Sequence, residues 1–297
     1  MNADVTILLT GAKGQLGRHL ISLLDNKFNL IACDKDSLDI TNFSDVHAMV
    51  QKVKPDIIIN AAAYTAVDKA ENEPVLARKV NHIGPENLAK AISTSNALLV
   101  HVSTDYVFDG KSDKPYKETD ETNPKGVYGE TKLNGENVVK KYCNNYVIIR
   151  TSWVFSEHGN NFVKTMLRVG KEKNIISVVN DQYGAPTYAG DIADAILTIC
   201  SNYLVDSRKM NETYHFSGYP YTNWCEFAKI ILTEAYLKGK LDHIVAVEPI
   251  STSEYRTLAK RPVNSKLDCS LIKSHHNIEP SDWKKALNNA LSIMDER

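Results

Sequence analysis

Five short apolar runs punctuate the first half of the chain, and none of them alternates with polar residues. They are "VTILLT" (5–10), "LIAC" (30–33), "DIIIN" (56–60), "ALLVHVS" (97–103) and "YVIIR" (146–150). Runs of this kind predict strands covered on both faces, as in a parallel sheet. Between them lie segments with helical spacing, such as "QLGRHLISLLD" and "SDVHAMVQKV", the second with Asn42 or Ser44 placed to cap it. Strands and helices in alternation predict a doubly wound α/β sheet with right-handed crossovers. The polar stretch 109–126, "DGKSDKPYKETDETNPKG", is long enough to predict a functional lid. Beyond residue 150 the pattern turns irregular, through "GNNFV" and "NDQYGAPTYAGD", until a helical run from Trp224 to Leu237. The expected organisation is one domain over residues 1–150 and a smaller lobe over 151–297, interleaved with the first.

Bulk properties narrow the class without naming it. At 297 residues, 43% hydrophobic and 24% charged, usage is that of a globular protein. A formal net charge of −1 points to neither a nucleic-acid nor a membrane-surface binder. The cysteines Cys33, Cys143, Cys200, Cys225 and Cys269 are odd in number and form no metal or redox motif, which suits reduced thiols in the cytoplasm. The N-terminus lacks the pattern of a signal peptide, and no apolar stretch is long enough to span a bilayer.

Directly after the first strand, "LLTGAKGQLGRHL" places Gly11, Gly14 and Gly17 at the opening of a helix, with Gln15 and Leu16 between them. A tight turn needs a residue tolerant of positive φ, and a pyrophosphate needs bare backbone beside a helix N-terminus. Here the strand–turn–helix context supports a dinucleotide site, although the first gap is one residue longer than in the commonest fingerprint. Asp34, just past the second strand, stands where an acidic residue holds an adenosine ribose hydroxyl. Lys35 beside it suits a 2′-phosphate, so the choice between NADH and NADPH stays open. Asp39 and Ile40 are candidates to border the adenine. After the third strand, "NAAAYT" offers Ala62, Ala63, Tyr64 and Thr65, where small residues let a cofactor lie against the backbone.

Tyr128 and Lys132, in "GVYGETKLNGE", fall on one face of a helix, as any solvated pair four apart would. Their company changes the reading. "TGAKGQLG", "NAAAYTAVDKAE", "VSTDYVFDG", "YGETK" and "RTSWVF" occur in order, and together they resemble the extended short-chain dehydrogenase/reductase family over residues 5 to about 268. The resemblance implies a Rossmann-type fold with a smaller C-terminal substrate-binding lobe. It also implies hydride transfer from NADPH or NADH to the C4 ketone of a dTDP-6-deoxy-4-keto-hexose. Tyr128 would be the acid that protonates the carbonyl oxygen. Lys132 would lower the phenol pKa from its usual value near 10 and bond the nicotinamide ribose, and Thr104 would hold the same oxygen. Asp105, Trp153 and Asn161 are expected beside the nucleotide-sugar, with Trp153 equally suited to core packing. Arg261 is expected on a substrate pyrophosphate, where a guanidinium fork fits.

No metal is expected, because Tyr128 and Thr104 supply the electrophilic assistance and no ligand cluster stands out. The oligomeric state is open, a homodimer included. A nucleotide-sugar 4,6-dehydratase would follow the threonine with Asp-Glu, whereas this chain has Thr104-Asp105-Tyr106. A 4-epimerase would share Tyr and Lys but retain its cofactor through a full cycle. The remaining rival is a non-catalytic protein like the regulatory subunit of methionine adenosyltransferase, which has a similar "DYVFDG" segment.

Overall fold

The structure, a computed structural model, describes residues 5–25, 27–206 and 209–294. The five apolar runs become β1 (Thr6–Thr10), β2 (Asn29–Cys33), β3 (Ile57–Asn60), β4 (Leu98–Thr104) and β5 (Asn145–Thr151). Their connections carry α1 (Gln15–Leu24), α2 (Phe43–Val53), α3 (Val67–Asn72), α4 (Pro74–Arg78), α5 (Gly84–Ala91) and α6 (Val127–Tyr142). Asn42 caps α2, accepting from the Ser44 amide at 3.0 Å.

The second half adds β6 (Val154–Phe155), α7 (Phe162–Glu172), β7 (Ile175–Val179), β8 (Tyr183–Gly184), β9 (Thr187–Tyr188) and α8 (Ala189–Asp206). It continues with β10 (Asn211–His215), β11 (Thr222–Asn223), α9 (Trp224–Leu237), β12 (Ala246–Ile250), α10 (Ser270–His276) and α11 (Trp283–Ile293). The main sheet runs β10-β5-β4-β3-β1-β2, every pairing parallel. β10 carries the polar sequence "NETYH" at the sheet edge, so its sequence gives no apolar run to read.

Buried apolar clusters hold these layers. α1 and α8 cover one face of the sheet through Leu16, Leu20, Ile192 and Ile196, while α2, α5 and α6 cover the other through Val46, Leu88 and Val139. A separate core joins α7, α9 and α11 around Phe227, Ile231, Trp283 and Leu287.

Between α6 and the sheet lies a buried ion pair. Glu136 accepts from Arg150 through both oxygens, at 2.9 Å from Nε and 2.7 Å from Nη2, and from Ser103 Oγ at 2.6 Å. The Arg150 guanidinium also lies 5.1 Å from the Phe108 ring centroid, and Phe108 stacks on buried Tyr116 at 4.3 Å. Tyr116 pairs with the chain near Leu267 through backbone bonds at both its amide and carbonyl. Stretch 109–126 is therefore anchored at its middle by an aromatic stack, which its polar composition did not signal.

Breaking a buried pair from one side leaves the other charge uncompensated, at roughly 3–5 kcal/mol. Glu136→Gln should lower unfolding free energy by about that much in urea titrations. A loss below about 1 kcal/mol would show that the pair contributes little.

Candidate functional site

The sheet order reverses between β1 and β3, where open α/β sheets present their ligands. Gly11 directly follows β1 there with φ +77°, and a Cβ on it would lie 2.6 Å from the Ala61 carbonyl carbon. Only glycine fits this turn. Gly14 caps α1 without a side-chain bond, and the first turn of α1 contains no acidic residue, so its amides face the switch point unopposed. Leu16 and Gly17 are buried beneath the turn, while Gln15 reaches outward and accepts from Asn161 Nδ2 at 2.9 Å. At the end of β2, Asp34 contacts Lys13 and bonds Ser37, and both hold its carboxyl well below the usual range. Asp39 caps the Thr41 amide at 2.9 Å, and Ile40 is buried against Gly84.

A short polar chain crosses the sheet at this point. Thr10 Oγ1 donates to Asn60 Oδ1 at 2.7 Å, and Asn60 Nδ2 meets His101 Nδ1 at 3.1 Å. Asn60 Oδ1 also takes the Ala62 amide, which fixes the start of the 62–65 loop. Farther along, buried Asn81 clamps Tyr64 by both its amide and carbonyl, at 2.8 and 3.0 Å. Asn81 sits in a single π-helical turn, Lys79–Ile83, a distortion common at functional sites. Ala63 lies half-buried in this loop and Thr65 exposed at its end.

Thr104, Tyr128 and Lys132 converge at the C-terminal end of β4. The Thr104 hydroxyl bonds Asp105 at 2.9 Å and lies beside the Tyr128 phenol, and Lys132 Nζ donates to the Val102 carbonyl at 2.6 Å. Two long-range contacts place the helix that carries the pair. Glu71 of α3 accepts the Val127 amide at 2.9 Å, capping α6 from outside. Gly129 lets α6 press on the next segment, since a Cβ there would lie 2.2 Å from the Tyr106 carbonyl oxygen. Glu71 closes the motif "NAAAYTAVDKAE" and Asn81 lies outside any motif, and neither role is readable locally because each acts on a distant segment.

Burial governs the titration here. Tyr128 is half-buried and its phenol is pushed up to about 12, whereas the expectation was that Lys132 lowers it. The lysine is engaged with Val102, and burial brings its own pKa down to about 8, opposed by Glu136 one turn on. Asp105 is buried with Oδ2 unpartnered, and burial lifts its carboxyl to about 7.

The other expected contacts are spread around the cleft. Trp153 adopts a left-handed backbone, φ +46°, and stacks on Trp224 at 3.7 Å. Asn161 caps α7 and donates to Gln15, Ser156 and His158. Arg261 donates from Nη2 to Asp68 at 2.8 Å, its buried Nε unpartnered, and lines a cavity of about 210 Å³ with Phe162, Trp224 and Tyr255.

A parallel sheet with a glycine-lined switch point and a tyrosine–lysine helix at the neighbouring strand end defines a Rossmann-type nucleotide-dependent oxidoreductase. The comparisons narrow that class. The family described as RmlD substrate binding domain matches residues 5–296. A dTDP-4-dehydrorhamnose reductase of Aggregatibacter actinomycetemcomitans is 47% identical, over 95% of this chain and 97% of its own. The crystal structure of a dTDP-4-dehydrorhamnose reductase from Clostridium acetobutylicum superposes with a TM-score of 0.90 at 40% identity, covering 98% and 99% of the two chains. One from Bacillus anthracis, in complex with NADP, gives 0.88 at 40% identity, covering 97% and 99%. The chain belongs to the dTDP-4-dehydrorhamnose reductase family.

With a carboxyl lifted from 3.8 to about 7, Asp105 contributes stability that is complete below about pH 4 and lost as pH rises through 7. Asp105→Asn should escape this loss, on the order of 4 kcal/mol at most. Its melting temperature should therefore gain on that of the native chain between pH 4 and 8. Parallel curves would refute the shift.

Proposed function

We propose that this protein reduces the C4 ketone of dTDP-4-dehydro-6-deoxy-L-mannose to dTDP-L-rhamnose, using NADPH or NADH. The observation that carries the reading is the convergence of Thr104, Tyr128 and Lys132 at one strand end in a chain of this family.

The residues fit the cofactor. Gly11 leaves space for a pyrophosphate against bare backbone, with Gly14, Gln15, Leu16 and Gly17 at the helix N-terminus. Asp34 suits the ribose hydroxyls of NADH, and Lys13 and Lys35 suit the 2′-phosphate of NADPH. Asp39, Ile40 and the 62–65 loop would flank the adenosine and the bridge to the nicotinamide. A bound reduced nicotinamide supplies the hydride. On the protein's side, the Thr104 hydroxyl holds the substrate O4, and Tyr128 Oη passes its proton to that oxygen as the alcohol forms. Lys132, turning from the Val102 carbonyl, offsets the charge left on the phenol and bonds the nicotinamide ribose. With a pKa of about 12 the phenol is a weak donor by itself, so the cation does necessary work.

The division at residue 150 belongs to the same proposal, with residues 151–297 forming mainly the substrate lobe. The separate core of α7, α9 and α11 supports it. Asp105 and Trp153 would face the sugar, and Asn161 would hold the lobe to the cofactor turn. Arg261 would exchange Asp68 for the substrate pyrophosphate. A tryptophan held at positive φ is costly and concentrates at functional sites, which favours a ligand role for Trp153.

The test is NADPH oxidation, followed by near-UV absorbance, with the dTDP-4-keto-sugar made in place by its upstream enzymes. Tyr128→Phe should lower kcat by roughly 10²–10⁴ while cofactor affinity is retained. Activity should also decline as pH rises through about 8, where Lys132 loses its proton. Tight cofactor binding with no turnover on a panel of keto-sugars would instead favour a non-catalytic regulatory subunit.

A further inference from the structure

Away from the Tyr128 cleft, three side chains able to bind a metal meet on the far side of α1. His19 comes from the second turn of that helix, and Glu157 and His158 from the loop between β6 and α7. The sequence expectation of no metal cluster missed them because they lie far apart along the chain. The Nε2 atoms of His19 and His158 stand 3.6 and 3.5 Å from the same oxygen, Oε1 of Glu157, and all three ligand atoms lie within 4.8 Å of one another. Ligands bound tetrahedrally at about 2.0–2.1 Å are on the order of 3.4 Å apart. Two edges of the triangle already have that spacing, and the third is no longer than 4.8 Å.

Several features point to an ion rather than to an ion pair alone. His19 Nε2 is buried without a hydrogen-bond partner, a costly state that a metal bond relieves. The second oxygen of Glu157 accepts from Tyr188 Oη at 3.0 Å, the kind of outer bond that fixes a ligating carboxylate. Glu157 and His158 also line a cavity of about 640 Å³, which leaves a coordination position open. Arg18, Lys164, Arg168, Lys171 and Lys240 line the same cavity. Their charge opposes a hard cation such as Mg²⁺, which is held by electrostatics and oxygen ligands alone. An imidazole-rich donor set suits a zinc-class ion instead, and the same basic residues would hold a small anion as its fourth ligand, offsetting the charge.

We propose that His19, Glu157 and His158 form a binding site for an imidazole-preferring divalent transition metal of the zinc class. The ion would join α1, which carries the glycine turn, to the loop leading into α7. The Asn161–Gln15 bond crosses the same junction at 2.9 Å. The site thus acts as a clasp between cofactor turn and substrate lobe.

The experiment is Co²⁺ titration of the full chain, stripped with chelator and carrying no histidine tag. One equivalent should produce the visible bands of tetrahedral cobalt, raise the melting temperature, and be displaced by Zn²⁺. His19→Gln and His158→Gln should each abolish the bands, and Tyr188→Phe should weaken affinity about tenfold or more. Unchanged metal-free melting temperatures would show that these variants fold. Absence of the bands in the native chain, their persistence in the His19→Gln/His158→Gln double variant, or stabilisation by Mg²⁺ alone would each overturn the proposal.

Discussion

The Glu136–Arg150 pair is the constraint on which the site depends. Glu136 stands one turn beyond Lys132 on α6, so the bond that fixes the helix against β4 and β5 also fixes the lysine. From Arg150 the connection continues to Phe108, to the Tyr116 stack and to His215 on β10, which faces the guanidinium at 3.4 Å. His215 is kept neutral, near pKa 3, by burial and by the adjacent arginine. It can therefore donate through Nδ1 to the Tyr116 carbonyl at 3.0 Å without adding a second buried cation. Helix α6, the sheet edge and the 109–126 segment share one electrostatic anchor.

That arrangement explains the chemistry assigned to Lys132. Burial alone would strip its proton, and the Glu136 carboxylate works against this, leaving a cation that loses its proton near pH 8. A lysine in that balance can support a phenol without holding any substrate atom itself. Asp105 is bonded to Thr104 at the same strand end, with burial pushing it toward the neutral acid. The two groups titrate within about one unit of each other and in opposite environments, one beside a carboxylate and one beside a hydroxyl.

Much of this was legible in the sequence, for identifiable reasons. Parallel strands buried on both faces must be continuously apolar, so β1, β3, β4 and β5 announce themselves. Gly11 was readable because a turn against Ala61 admits no Cβ. β10 was not readable, since an edge strand may be polar. The raised pKa of Tyr128 was not readable, because sequence spacing gives the facing of two side chains but not their burial. The roles of Glu71, Asn81 and the His19–Glu157–His158 triad were invisible for a third reason, that each depends on contacts between distant segments. The amide nitrogen of Asn161, a residue expected beside the substrate, already donates to Gln15, Ser156 and His158, and the bond to Gln15 joins segments distant in sequence that spacing could not show.

The Trp153–Trp224 stack has an optical consequence. Two indoles 3.7 Å apart and 14° from coplanar couple their electronic transitions, so their near-UV circular dichroism belongs to the pair rather than to either ring. Trp224 lines the cleft beside Arg261, whereas the third tryptophan, Trp283, is fully buried in the α7–α9–α11 core and provides a constant background. Any molecule that slides one ring off the other writes its arrival directly into the protein's own spectrum, with no label attached.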